Sequence, residues 1–340
     1  NPRMRLYEHY FNDLLRKQTH VRNAEVEELL GMLRDPFTST SNTATMLANA
    51  DFKFKPAHDS KNKKVELTQS TFDAILNGSD RKARQTAWEN YNDQYIEYKN
   101  TLANNLNTSI KQNVFNMKVR NFNSSLESTL FNGNVPVEMF HNLLDIFKKN
   151  LPLWHKYWRV RRKALGVKTL NPYDVWAPLT TKKYKVPFEK AVDWICEGLA
   201  PMGEEYVSVM RKGCLQDRWV DWSPNAGKRQ GAFSTRVPKD THPFILMSYT
   251  DDIGSMSTLS HELGHSMHAY YASRAQPMSY YTYPSIIAET ASNFNQAMTR
   301  AHLLKTQTSK SFQIALLEEA MGNFHRYFFV MPTLARFERD

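Results

Sequence analysis

Apolar positions recur every three to four residues through most of the chain, and that spacing predicts helices. Tyr7, Tyr10, Phe11, Leu14 and Leu15 form one such stripe, and Val26, Leu29, Leu30 and Leu33 form the next. A polar stretch over 51–64, rich in Lys, Asp and Ser, reads as a linker or surface loop. After Asn77-Gly78-Ser79 comes the longest periodic run, from Trp88 and Tyr91 through Tyr95, Tyr98, Leu102, Leu106 and Ile110 to Val114 and Met117. It reads as a single buried helical stripe of about eight turns. Asn134 with Pro136 opens another helix, and a further one ends near Gly166. Asn171-Pro172, Pro178 and Pro187 then break the pattern and predict a long crossing loop. Helical spacing returns over 191–210. Segments 231–234 and 244–249 read as two short strands, the second an apolar run between His242-Pro243 and Asp251-Asp252. A helix over 255–274 stops at Gln276-Pro277, and a last pair covers 286–304 and 312–329. No internal repeat is present. The predicted class is mainly α, with a small β element just before the helix at 255–274.

Composition narrows the function classes. The 340 residues are 41% hydrophobic, ample for a buried core, and no apolar run approaches the eighteen or so residues of a membrane span. No membrane partner is expected. Cys196 and Cys214 are too few for a disulfide framework and fit a reducing, cytoplasmic setting. Lys and Arg outnumber Asp and Glu by 44 to 34, a formal net charge of +10 that invites a nucleic-acid reading. The basic residues are spread along the chain, however. Their densest cluster (Arg159, Arg161, Arg162, Lys163) sits at a predicted helix end, where cations complement the dipole. No nucleic-acid partner is expected. The chain opens on Asn1 with no secretory signal, so an amino-terminal part is expected to be missing.

The helix at 255–274 carries His261-Glu262-Leu263-Gly264-His265, the pattern H-E-x-x-H. A four-residue step turns roughly 400°, so the two imidazoles project from one face a turn apart and can share one Zn²⁺ at about 2.0–2.1 Å each. Glu262 lies roughly 100° around the helix, beside the metal without pointing at it, where it can take a proton from a metal-activated water. Catalytic zinc keeps three protein ligands and one open position. His268 shares the face of His261 and His265 but lies about 10 Å from His261 along the axis, too far to join both on one ion. It reads as a pocket-wall residue or a packing residue. Glu289, on the next helix and among Ile286, Ile287, Ala291 and Phe294, is the better third ligand, since a turn near Pro277 would return it over the histidines. Asn293, one turn beyond, is a candidate to support it.

The run from His261 to His268, followed by Pro284-Ser285-Ile286-Ile287-Ala288-Glu289-Thr290-Ala291-Ser292, closely resembles the oligoendopeptidase F branch of the thimet oligopeptidase family. Gly227-Lys228-Arg229-Gln230-Gly231-Ala232-Phe233, His242-Pro243-Phe244-Ile245-Leu246 and, less specifically, the segment 199–206 resemble it too. The resemblance implies a mainly α, multi-helical zincin-type metallopeptidase. Residues 1–70 would belong to a helical amino-terminal region and 71–340 to a catalytic domain incomplete at its carboxyl end. It implies one Zn²⁺ per chain on His261, His265 and Glu289, Glu262 as general base, and oligopeptide substrates cleaved at internal bonds. It also implies that Gly231, Ala232 and Phe233 pair with substrate backbone, a role in competition with that of an ordinary short core strand. The family draws an oxyanion-stabilising phenol from a Tyr-rich segment well after the zinc Glu. Tyr280, Tyr281 and Tyr283 follow the zinc helix too closely to replace it, and such a donor is worth on the order of 10²–10³ in turnover. The alternative function is therefore a zinc-binding, peptide-binding protein or fragment with little or no turnover. Oligomeric state and cleavage specificity are not written in these patterns.

Overall fold

The computed structural model describes residues 2–180, 182–225, 228, 231–235 and 241–340, with side chains from Met4 onward. Packing divides it into two compact units, residues 1–178 with 331–340, and residues 179–330.

The first unit opens with α1 (Glu8–Gln18) and α2 (Ala24–Met46), where Asn23 caps α2 by accepting from the Val26 amide at 3.0 Å. The segment read as a polar linker contains a small antiparallel hairpin, β1 (Ala57–His58) and β2 (Lys64–Val65). Two-residue strands are too short for alternation to reveal them. After α3 (Phe72–Leu76), the long stripe is divided at Tyr98 into α4 (Arg81–Glu97) and α5 (Lys99–Val119). Only its first half meets a core. Tyr91 stacks on Phe72 at 3.8 Å and on Phe54 at 4.9 Å, beside buried Ala57, Leu67 and Ala87. α5 buries none of its residues, and Leu106 and Ile110 are more than half exposed. The expectation of one continuous buried stripe is corrected there. α6 (Ser125–Phe131) leads to α7 (Val137–Ala164), one 28-residue helix that runs through Pro152 where two had been read. Its last turn carries the basic cluster, with Arg161 buried against the Ala177 carbonyl and Arg162 donating to the Lys168 carbonyl at 3.1 Å. In the loop that follows, buried Asp174 accepts from Arg81 at 2.9 Å and from buried Arg84 at 3.2 Å.

The second unit holds the large core. α8 (Phe188–Gly198) and α9 (Glu204–Leu215) replace the single helix read over 191–210, because Pro201 and Gly203, at φ +101°, break the run. Three short strands follow, β3 (Val220–Asp221), β4 (Phe233–Thr235) and β5 (Phe244–Leu246). The sheet order is β3-β5-β4, with β3 parallel and β4 antiparallel to β5, and Ser234 opposite Ile245. β3 was not anticipated. α10 (Ile253–Ala275) begins where Asp252 accepts from the Ser255 amide at 2.7 Å. It is the central helix, with Met256, Leu259, Leu263 and Met267 fully buried against α8, α9, the sheet and α12. α11 (Ser285–Thr306) returns along it, and α12 (Lys310–His325) adds Phe312 and Leu316 to the same core. α13 (Met331–Arg339) belongs to the first unit, against α7. Among the described residues no helix is long and apolar enough to cross a membrane.

Candidate metal centre

At Gly264, α10 and α11 come to backbone contact. A Cβ on Gly264 would lie 2.6 Å from Ser292 Cα and 2.7 Å from the Ala291 carbonyl oxygen, closer than real contacts allow. Only a residue without a side chain lets the α11 backbone come so near, and Glu289 sits one turn before that contact. The fourth position of H-E-x-x-H thus bears on where the third, acidic donor can stand.

His261 and His265 lie a helical turn apart with ring centroids 4.8 Å from each other and planes at 87°. The Glu289 carboxylate reaches both, its Oε2 3.3 Å from His261 Nε2 and 3.7 Å from His265 Nε2. One donor atom from each residue lies within 4.8 Å of the others, the one such group of three among the described residues. Tetrahedral ligands held at about 2.0–2.1 Å from an ion stand about 3.3–3.4 Å apart, so the two histidine-to-carboxylate distances suit a zinc-sized cation. Two imidazoles and one carboxylate, with the carboxylate side chain half exposed, leave a side open for water or substrate. The apolar neighbours that argued for an inward Glu289 are themselves half exposed, Ile286, Ile287 and Phe294 among them. What turns Glu289 to the histidines is its place opposite them on the packed helix.

Other side chains hold these groups. The buried Ser292 hydroxyl donates to Glu289 Oε2 at 2.8 Å, whereas Asn293, the candidate from the sequence, donates to the Glu289 backbone carbonyl at 2.8 Å and does not touch the carboxylate. On the other side, His261 Nδ1 meets the carboxamide oxygen of buried Gln296 at 3.1 Å. Both supports lie on the face of Glu289, three and seven residues along α11. Helical spacing was the available signal for them.

Glu262 is 6% exposed, on the flank of the same helix turn. Burial pushes its carboxyl up to about 7, with the nearby Glu289 charge adding to the shift and a hydrogen bond from the Ser234 backbone amide opposing it. Its Oε2 has no hydrogen-bond partner among the described residues. A buried carboxyl poised near neutrality, with one oxygen unsatisfied, can exchange protons with a water beside the donor triad.

His268 stacks on Tyr283, ring centroids 3.7 Å apart at 15°, and stands apart from the donor group. Ala232 and Gly231 precede β4 instead of forming it, Gly231 at φ +92°, and Phe233 opens the strand with its side chain exposed. The strand read over 231–234 is thereby shifted towards the carboxyl end. β4 lies at the edge of the sheet, and its Ser234 side chain shares a hydrogen bond with buried Ser266 of α10 at 2.8 Å. Gly227, Arg229 and Gln230 of the matching segment lie outside the described residues.

Residues 74–340 match the sequence profile of peptidase family M3, and residues 1–54 match that of oligopeptidase F. The chain is 34% identical over 336 residues to oligopeptidase PepF of Bacillus subtilis, covering 98% of this chain and 50% of the relative. It is 34% identical over 319 residues to an oligoendopeptidase F homologue of Borreliella burgdorferi, covering 92% and 53%. The chain therefore spans about half the length of the curated relatives it matches. Among solved structures, the oligoendopeptidase F of Enterococcus faecium superposes with a TM-score of 0.72 at 27% identity, over 100% of this chain and 54% of that one. A Chlamydophila abortus protein superposes with a TM-score of 0.88 at 32% identity, over 100% and 57%.

Proposed function

The chain belongs to peptidase family M3, and from that membership together with its metal-competent triad we propose that it is a zinc-dependent endopeptidase hydrolysing internal bonds of short oligopeptides. The observation that carries this reading is the convergence of His261, His265 and Glu289 at ligand spacing beside the buried Glu262 carboxyl. When bound, one Zn²⁺ per chain would acidify a water and polarise the scissile carbonyl. His261 and His265 would hold the ion through imidazole nitrogens, and Glu289 would supply the single negative charge of the ligand set. Glu262 accepts the proton of the attacking water and returns it to the leaving amine. The raised pKa of that carboxyl suits both halves of the transfer, which need the group to give up its proton as readily as it takes one. β4 offers an edge along which an extended peptide backbone can lie, with Gly231, Ala232 and Phe233 at its entry and Glu262 next to Ser234. His268, held flat against Tyr283, would form part of the wall on that side of the helix.

Residues 71–340 are taken as the catalytic domain and 1–70 as part of the amino-terminal region. A cytoplasmic location is supported by the two buried, unbridged cysteines. The competing reading is a metal-holding peptide binder with little turnover. A fluorogenic oligopeptide assay separates the two. Cleavage that disappears with a chelator and returns with Zn²⁺ supports the peptidase. Glu262→Gln should keep zinc and lower turnover by at least 10²–10⁴-fold. A variant that cuts at the parent rate would remove Glu262 from the mechanism, and binding without cleavage by the parent would favour the binder.

A further inference from the structure

Behind the donor triad lies a chain of hydrogen bonds whose direction can be read from its charged end. Arg300 on α11 has donors only, and it grips Glu319 of α12 at 2.6 and 2.8 Å. The Ser257 hydroxyl gives its one proton to Glu319 Oε1 at 2.6 Å. The lone pairs of that hydroxyl are then left to accept from Gln296 Nε2 at 2.9 Å and from Arg300 at 3.3 Å. Gln296 Nε2 also donates to the Ser257 backbone carbonyl at 3.2 Å, which can only accept. The amide orientation of Gln296 is fixed by these partners. Reversed, its oxygen would face the Ser257 carbonyl and its NH₂ would face the Asn323 NH₂. Gln296 Oε1 is therefore the acceptor for both Asn323 Nδ2 and His261 Nδ1, each at 3.1 Å. A carbonyl oxygen accepts and never donates, so the imidazole proton must sit on Nδ1.

We infer that Gln296 is a positioning residue: anchored through Ser257 to the Glu319–Arg300 ion pair, it holds His261 as the Nδ1–H tautomer and leaves Nε2 as the lone pair that faces Glu289 and the metal. The inference rests on the metal-site reading above and deepens it. Its physical need comes from Glu289. The Glu289 carboxylate lies 3.3 Å from His261 Nε2 and on its own would draw the proton there, which would block the ligand atom. Gln296 competes for that proton from the other side of the ring, and it does so without adding charge. A carbonyl partner on the non-ligating nitrogen is the usual way proteins fix a ligand's tautomer and ring angle.

The test uses the metal-free chain with ¹⁵N-labelled histidine, above the imidazole titration range, with the His261 signals identified by their loss in His261→Gln. Nitrogen shifts should report Nδ1–H for His261 in the parent and a shift towards Nε2–H in Gln296→Leu. Zinc affinity, measured by competition with a chromophoric chelator, should weaken by about 10–100-fold in Gln296→Leu. Gln296→Glu keeps an acceptor facing Nδ1 but loses the donor to Ser257, so it should restore the Nδ1–H tautomer whatever happens to the affinity. An Nε2–H ring in the parent overturns the inference whatever the variants do. So does a Gln296→Leu chain with parent tautomer and parent affinity, or a Gln296→Glu chain whose His261 is Nε2–H as in Gln296→Leu, which would reduce Gln296 to packing. A parent that takes up no zinc sinks the metal reading itself, and the tautomer of the parent still decides the part played by Gln296.

Discussion

The two compact units use similar apolar periodicities and arrive at different degrees of burial. In the unit 179–330, Leu259, Leu263, Met267, Leu303 and Leu316 are sealed, and α10 is covered by α8, α9, α11, α12 and the sheet. In the first unit, α2 and α5 lie together around an apolar cleft of about 420 Å³ lined by Val26, Leu29, Leu30, Met32, Leu33, Phe115 and Val119. Leu29 is 59% exposed there and Met32 67%. A stripe of apolar residues specifies which face of a helix seeks cover, but not what covers it. The difference also marks where precision is needed. The unit with the metal-competent triad packs two helices to backbone contact at Gly264, whereas in the other α2 and α5 meet around an open apolar cleft.

Two glycines make the comparison testable at its extremes. Gly264→Ala should give the largest effect, because the added methyl meets α11 backbone at 2.6 and 2.7 Å. Separating the helices by even 1 Å displaces Glu289 from the histidines. Loss of stoichiometric zinc and a fall in peptide cleavage of about 10²-fold are expected, checked by metal analysis and assay on the folded variant. Retained zinc and parent-like cleavage would break the link between helix approach and site.

The buried charge of the first unit comes next. Asp174→Asn leaves Arg84 buried without its anion and should cost about 3–5 kcal/mol, read from denaturant unfolding. Burial acts to raise the Asp174 carboxyl, but hydrogen bonds from Arg81, the Asn171 amide and Arg84 outweigh it and hold the pKa below the ordinary range. A depressed folded pKa gives stability that is present above the unfolded value of about 3.9 and is lost as pH falls through the lowered one. Hydrogen exchange in α4 should therefore quicken below about pH 4 in the parent, and this acid step should vanish in Asp174→Asn. A parent with no acid step would show that the pair is not held in solution.

Paired truncations sharpen the core comparison. Leu263→Ala, fully buried, should cost about 2–5 kcal/mol by chemical denaturation. Leu29→Ala should stay within about 0.5 kcal/mol, since its side chain is mostly in solvent already. Equal costs would mean that the α2 face is covered in solution. A small effect of opposite sign is expected at Gly31, in the middle of α2, where a Cβ meets nothing within 4 Å. Gly31→Ala should stabilise the chain by about 0.5–1 kcal/mol, visible as a small rise in thermal midpoint.

Much of the site was legible in the sequence because the helix converts spacing into direction. A four-residue interval is enough to put His261 and His265 on one face, and the helices at 253–275 and 285–306 were read nearly to their ends. The position of Glu289 beside the histidines was expected as well, though on a mixed argument, since its apolar neighbours are half exposed. Ser292 and Gln296 were missed. Each carries a short polar side chain that periodicity treats as ordinary, and only the facing helix gives it a partner. The hairpin at 57–65 and β3 were missed because two-residue strands hold no period. The break at Tyr98 was missed because the apolar stripe continues across it and only that one residue, at φ −101° and ψ 15°, leaves the helical conformation.

The sequence by itself determined that the chain is mainly helical, that two imidazoles and a flanking carboxyl share one turn, and which helix bears them, because these depend on local geometry that a residue interval fixes. Only the tertiary structure decided that Gly264 lets α11 close to backbone contact, that Glu289 points at both histidines, that Glu262 is buried with its pKa raised, and that the apolar faces of α2 and α5 are left partly in the open. Those depend on what lies across from each residue. Burial, shifted proton affinity and ligand distance are properties of pairs of elements, and the spacing within one element does not contain them.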